Sequence, residues 1–181
     1  TETCNLRCKM CYAWGEKGTY STDTSGKKPS TLDFDIIRQL VKDLTSRAPM
    51  FSLFGGEPLM FPKIEQLIIE VKKSGAFIDT PTNGTLLEKN AHMLVKTGFD
   101  SIRVSMDGPR DINDAQRGKG AFDRAMAGIE ALFREREKPW ARGPIIGIIY
   151  TVTPENRTAI EKFFLKEIDI RHINLSLIHI S

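Results

Sequence analysis

"MFSLFGGEPLMFPKIEQLIIEVKKSG", residues 50–75, is the stretch whose reading decides the fold. It opens on a short apolar run, Met50 to Phe54, of strand length and ended by Gly55-Gly56. After Pro62 the apolar period changes. Ile64, Leu67, Ile68 and Val71 recur at the three- and four-residue spacing of one helix face. Pro62 stands near the first turn, Lys72 and Lys73 occupy the last turn, and Gly75 is the stop. A strand, a glycine loop and a helix in that order make one βα unit.

The same alternation extends outward from it. Upstream, "TLDFDIIRQLVKDLTS" predicts a helix over Asp33 to Thr45 with Phe34, Ile37, Leu40, Val41 and Leu44 inward and Ser30 or Thr31 as its cap. Downstream, a strand from Ala76 to Thr80 runs into the turn residues Pro81-Thr82-Asn83-Gly84, followed by a helix over Leu87 to Lys96 that ends at Gly98. A strand from Ser101 to Ser105, a helix in "GAFDRAMAGIEALFRERE" with Phe122, Ala125, Met126, Ile129 and Phe133 inward, the strand "PIIGIIYTV" and the helix "ENRTAIEKFFLKEI" follow. "RHINL" begins a last strand. Strands alternating with helices predict an α/β fold with a mostly parallel sheet. A complete eight-unit barrel takes about 250 residues, so 181 residues hold between five and six units. The expectation is a partial, open (β/α)6 TIM-like barrel whose first strand is missing ahead of Cys4. In such barrels chemistry sits at the carboxyl ends of the strands.

The chain is expected to be a fragment, with a single partial domain over residues 1–174. It opens without Met, and its closing "LSLIHIS", Leu175 to Ser181, reads like an in-frame translation of a sequencing adapter and is expected to be non-native. The composition, 40% hydrophobic and 27% charged, is that of a globular protein rather than a disordered or fibrous one. The longest apolar run has strand length, which excludes a membrane span, and a net charge of +3 gives little reason to expect a nucleic-acid partner.

Cys4, Cys8 and Cys11 are the only cysteines, and all lie within eight residues of one another. Three thiols on one short loop cannot form a disulfide framework. Metal ligation in a reducing, cytoplasmic compartment is the expected role. Cys-x3-Cys-x2-Cys suits one face of a four-iron four-sulfur cluster, with the fourth iron left open. Spacing alone also allows a zinc site completed by His92, His172 or His179, although no second cysteine pair follows. Gly55-Gly56 can admit a ligand close to the backbone, and Glu57 can accept hydrogen bonds from an ammonium group.

"CNLRCKMCY" together with "FGGEPLM" resembles the radical S-adenosylmethionine (radical SAM) superfamily, with Tyr12 as the aromatic directly after the last cysteine. The resemblance implies one [4Fe-4S] cluster on Cys4, Cys8 and Cys11 and SAM bound at its open iron. Reductive cleavage of SAM then yields a 5′-deoxyadenosyl radical that takes hydrogen from a substrate. It implies that Gly55, Gly56, Glu57 and Pro58 hold the methionine amino group. Thr82 and Asn83 resemble a "TNG" element near the cofactor. Ser105 and Asp107 resemble an "S-x-D" element for the methionine carboxylate and a ribose hydroxyl, and Arg117 an "RG" element for a carboxylate. Trp14 and His92 are read as packing and surface residues.

"VSMDG…NDAQRGKGAFDRAMAGI" further resembles the SPASM/twitch subgroup, which modifies peptides and proteins or matures peptide-derived cofactors. The expected partners are a reductant of the flavodoxin or ferredoxin type and a peptide or small-molecule substrate, with no nucleic acid and no membrane. The alternatives are cofactor biosynthesis of the molybdopterin type, a zinc-binding interaction module and an electron-transfer iron–sulfur protein.

Overall fold

The computed structural model of the chain describes residues 1–22, 28–47, 49–167 and 174–179. Five strands, β1 (Met50–Ser52), β2 (Phe77–Thr82), β3 (Ser101–Ser105), β4 (Ile145–Val152) and β5 (Asn174–His179), form one sheet in chain order. Every neighbouring pair is parallel. The described helices are α1 (Thr19–Thr22), α2 (Phe34–Leu44), α3 (Ile64–Lys73), α4 (Leu87–Lys96), α5 (Arg110–Arg117), α6 (Ala121–Arg136) and the single turn α7 (Ile160–Lys162). This is the α/β arrangement of an open, partial barrel. Among the described residues no helix is long and apolar enough to cross a membrane.

Alternation along the strands sets the two faces of the sheet. Ile78, Ile102, Val104, Ile146, Ile148 and Tyr150 turn to one face and join Ile68, Val71, Leu94, Val95, Ile129 and Leu132 of the helices in the core. Ser52, Asp79, Pro81, Arg103 and Ser105 fall on the other face, the interior side of a barrel. The helices over residues 64–73 and 87–96 form where the apolar period places them, with Ile64, Leu67, Ile68 and Val71 buried in the first.

Five local features differ from the expectation. Asp33 caps α2, its carboxylate accepting from the Asp35 N–H at 2.7 Å, so Ser30 and Thr31 lie upstream of the true cap. On α2 only Val41 is fully buried and Leu40 is 48% exposed, because the helix packs at the outer edge of the sheet. Strand β1 ends at Ser52, whereas β2 runs on through Pro81 to Thr82. The Asp79 carbonyl accepts from Leu53, so Pro81, two residues on, also faces the β1 side, where pairing has stopped and no donor is needed. Helix α5 carries only Ile112 and Ala115 as apolar residues, leaving no period to read, and it buries Asn113, Gln116 and Arg117 instead. The stretch expected to form the last helix divides into a 3-10 turn at Arg157–Ala159, α7 and a π-helical segment at Phe163–Glu167.

Helices α4 and α6 meet at Gly128. A Cβ there would lie 2.5 Å from Leu87 Cβ and 2.9 Å from the Gly84 carbonyl oxygen. Alanine in a helix interior ordinarily stabilises by about 1 kcal/mol over glycine. At this position overpacking reverses the sign, and Gly128→Ala is expected to destabilise by about 1–3 kcal/mol. Urea unfolding followed by circular dichroism measures the difference.

Candidate cofactor site

Residues 1–11 are tied to the carboxyl ends of the strands. Gly56 N donates to the Thr1 carbonyl at 2.9 Å, Glu57 N to Thr3 at 2.8 Å, and Lys9 N to the Gln116 carbonyl of α5 at 2.8 Å. The glycine pair is shaped by this entry. A Cβ on Gly55, whose φ is +145°, would stand 2.0 Å from the Thr1 oxygen, and one on Gly56 2.3 Å from the Thr3 oxygen. The two glycines therefore admit the chain's own backbone. The cysteine loop then closes through Cys11 N to the Cys8 carbonyl and Gly15 N to the Cys11 carbonyl. Arg7 donates to the carbonyls of Cys4 and Leu6 and lies 4.0 Å over the Trp14 ring, which stacks on Tyr20.

A cavity of about 240 Å3 opens above this loop. Its walls are Cys4, Cys8, Met10 and Cys11, the loop residues Phe54, Gly55, Gly56 and Pro58, then Pro81, Thr82, Asn83, Ser105 and Arg117. Residues from five separated segments thus meet in one space. Met10, Phe54 and Pro81 form part of the wall although the motifs and the turn that contain them gave them no role. Asn5 is a further residue without a sequence signal, its side chain bonding Asn83 at 2.8 Å and Thr85 at 2.9 Å.

Glu57 sits behind the wall. Its carboxylate is wholly buried and accepts from Leu59 N at 3.1 Å, Thr82 Oγ1 at 2.7 Å and Asn83 N at 2.8 Å. It binds two loops together and is not among the groups that face the cavity. Burial raises its carboxyl pKa above the ordinary value, against the opposing pull of those three donors. Asp107 is likewise fully buried and behind the wall. Its oxygens meet Arg117, at 3.0 Å from Nη2 and in an ion contact of 2.6 Å from Nε, and accept from Thr151 N at 2.9 Å. Asn113 and Asn156 complete its surroundings, the first accepting from Asp107 N and the second donating to its carbonyl. In this geometry Arg117 reaches the cavity and Asp107 orients it. Ser105 lines the cavity, and its hydroxyl has no hydrogen-bond partner among the described residues. Tyr12 is 82% exposed and stands outside the cavity wall.

The three thiols are free and share one wall. Burial raises the Cys4 pKa and pushes Cys8 up to about 11, the Arg117 guanidinium pulling Cys8 the other way. Ligation must therefore displace protons from both. Among the described residues no three His, Cys, Asp or Glu side chains converge on a point that could hold one metal ion. A cuboidal cluster asks for something else, thiolates spread over separate irons, and the donor set suits it.

The family profile of the Radical SAM superfamily matches residues 1–166. The chain is 31% identical over 167 residues to the Fe-coproporphyrin III synthase of Methanosarcina barkeri, a match covering 91% of this chain and 38% of that protein. It is 28% identical over 183 residues to the serine-type anaerobic sulfatase-maturating enzyme of Bacteroides thetaiotaomicron, covering 96% and 43%. The solved structure of native anSMEcpe with bound AdoMet superposes with a TM-score of 0.74 at 22% identity, over 99% of this chain and 49% of that one. The chain thus spans about two fifths of these curated relatives and about half of the solved structure.

The position of Glu57 generates a test. Glu57→Gln places an amide N–H against a donor, Asn83 N or Leu59 N, and is expected to cost about 1–3 kcal/mol of stability. Because the folded pKa is raised, the wild-type contribution is fully present below the ordinary value of 4.5 and is lost as the pH rises through the raised value. Chemical denaturation from pH 4 to 8 should show that decline in the wild type and its loss in Glu57→Gln.

Proposed function

This chain belongs to the radical SAM superfamily, and we propose that it is the cofactor-binding part of an enzyme that uses SAM to abstract hydrogen from a peptide or protein substrate. The observation that carries the reading is the single cavity in which the three cysteines, the glycine loop, Ser105 and Arg117 meet. The family uses a [4Fe-4S] cluster and SAM. When bound, that cluster supplies one electron that splits SAM into methionine and a 5′-deoxyadenosyl radical, which takes a hydrogen atom from the substrate.

The protein's own groups set where this happens. Cys4, Cys8 and Cys11 would each hold one iron. Arg117, fixed by Asp107, offers a guanidinium to the methionine carboxylate, and the free Ser105 hydroxyl lies on the same wall. The backbone of Gly55 to Pro58 offers carbonyl acceptors to the amino group. Glu57 acts by holding that loop against Thr82 and Asn83. Asp107 acts through Arg117 rather than on a ribose hydroxyl. Met10, Phe54, Pro58 and Pro81 supply the apolar walls that limit water.

The peptide reading is supported by the SPASM-type resemblance and by similarity to the sulfatase-maturating enzyme. Similarity to the Fe-coproporphyrin III synthase favours a second reading, cofactor synthesis on a tetrapyrrole. The zinc module and the electron carrier lose their ground with family membership. A one-electron reductant of the flavodoxin or ferredoxin type completes the proposed reaction.

Anaerobic reconstitution with iron and sulfide, followed by electron paramagnetic resonance with and without SAM, tests the assignment. A cluster signal that shifts on adding SAM is expected, and an unshifted signal counts against it. Cys4→Ala, Cys8→Ala and Cys11→Ala should each fail to retain the cluster. Arg117→Met should retain it while weakening SAM binding about tenfold or more, the equivalent of about 1.4 kcal/mol.

A further inference from the structure

The face of the sheet opposite the helices carries a second polar feature, one layer beneath the cofactor cavity. Phe54, Pro81 and Ser105 line that cavity. Two residues earlier in each segment, and so on the same face, stand Ser52, Asp79 and Arg103. They form a connected row, with Ser52 Oγ donating to Asp79 Oδ1 and Arg103 Nη2 donating to Asp79 Oδ2. Two residues of strand span about 6–7 Å, which puts the row within reach of a substrate whose reacting atom lies at the cavity.

Barrel interiors are ordinarily filled by branched apolar side chains. A desolvated ion pair in their place gains little stability over an apolar replacement. Strand pairing does not require the pair, since the ladder is backbone, and none of the three residues faces the cofactor cavity. Asp79 is 6% exposed, but the Arg103 side chain keeps 32%, and Nε and Nη1 have no hydrogen-bond partner among the described residues. Gly147 stands opposite Arg103 in the β3–β4 register and projects no side chain beside it. The guanidinium is held from one side and open on the other.

We propose that Arg103 is a specificity-determining residue that takes a carboxylate of the substrate, with Asp79 and Ser52 holding its guanidinium in place. The planar fork suits bidentate recognition of a carboxylate. This inference rests on the radical SAM reading, which places the reacting atom at the cavity. A carboxylate of this kind can belong to an acidic peptide side chain or to a tetrapyrrole propionate.

The test is equilibrium binding to the cluster-loaded full-length protein in two arms. One arm compares coproporphyrin III with its tetramethyl ester. The other compares a fluorescent nonapeptide bearing one Asp and an amidated C-terminus with its Asn counterpart. In one arm the free acid is expected to bind at least tenfold more tightly than the masked probe. Arg103→Met should erase that advantage without changing affinity for the masked probe, and Arg103→Lys should recover part of it. The double variant Asp79→Asn/Arg103→Met leaves no unpaired carboxylate, so the same loss there assigns the effect to Arg103 itself. Equal binding of acid and masked forms in both arms, undiminished binding of the acid by both Met variants, or no binding in either arm would overturn the proposal. Formation of 5′-deoxyadenosine by the same wild-type preparation is measured separately, and its absence alongside Arg103-dependent binding would overturn the radical SAM reading alone.

Discussion

The site depends on one buried carboxylate. Glu57 accepts from the backbone of its own loop, from the Thr82 hydroxyl and from the Asn83 amide, which joins the turn after β1 to the end of β2. Everything above it follows from that junction. The glycine pair is held where Thr1 and Thr3 can cross it, and Asn83 is fixed where its side chain meets Asn5 and approaches the Cys4 sulfur at 3.9 Å. Burial disfavours the charge and three donors favour it. A carboxylate in that balance locks geometry more than it adds stability, because each donor would be orphaned without it.

Two arginines repeat a single device. Arg117 is oriented by Asp107 and Arg103 by Asp79, and in each pair the carboxylate is buried while the guanidinium extends toward more open space. Anchoring from behind cuts the conformational freedom a long side chain would lose on meeting a ligand. It also limits cost, since the charge is compensated before any ligand enters. The Asp107 end is the better supported, with Thr151 N, Asn113 and Asn156 around it and the Tyr150 hydroxyl donating to the Asn156 carbonyl.

The parallel sheet explains why such distant residues meet. Every connection returns the chain to the same end, so the loops after β1, β2 and β3 lie side by side, and residues 1–9 are tied by backbone hydrogen bonds to the loop after β1 and to α5, and by the Asn83 side chain to the loop after β2. A short first strand suffices because the Leu53 N–H still reaches the Asp79 carbonyl beyond the last register pair. The cavity therefore draws on positions 4 to 117 without any of its segments having to travel far in space.

The sequence by itself determined the class of fold and the cofactor chemistry. A change from short apolar runs to three- and four-residue periodicity is a local property, and it placed α3, α4 and β3 close to where they stand. Three thiols in one short loop are equally local, and with the GGEP stretch they marked the cofactor wall. Roles that depend on neighbours could not be read. Glu57 and Asp107 have the same residue types whether they meet a ligand or a neighbouring loop, and only packing turned them inward. Tyr12 follows Cys11 in sequence yet points outward because the loop closes on Gly15. Helix α5 has no apolar period because what it buries is polar, and Arg103 looked like any charged residue on a strand. Its partner lies 24 residues away on the adjacent strand. Tertiary structure decided these assignments because the direction of a side chain and the partner of a buried charge are set by which strands become neighbours.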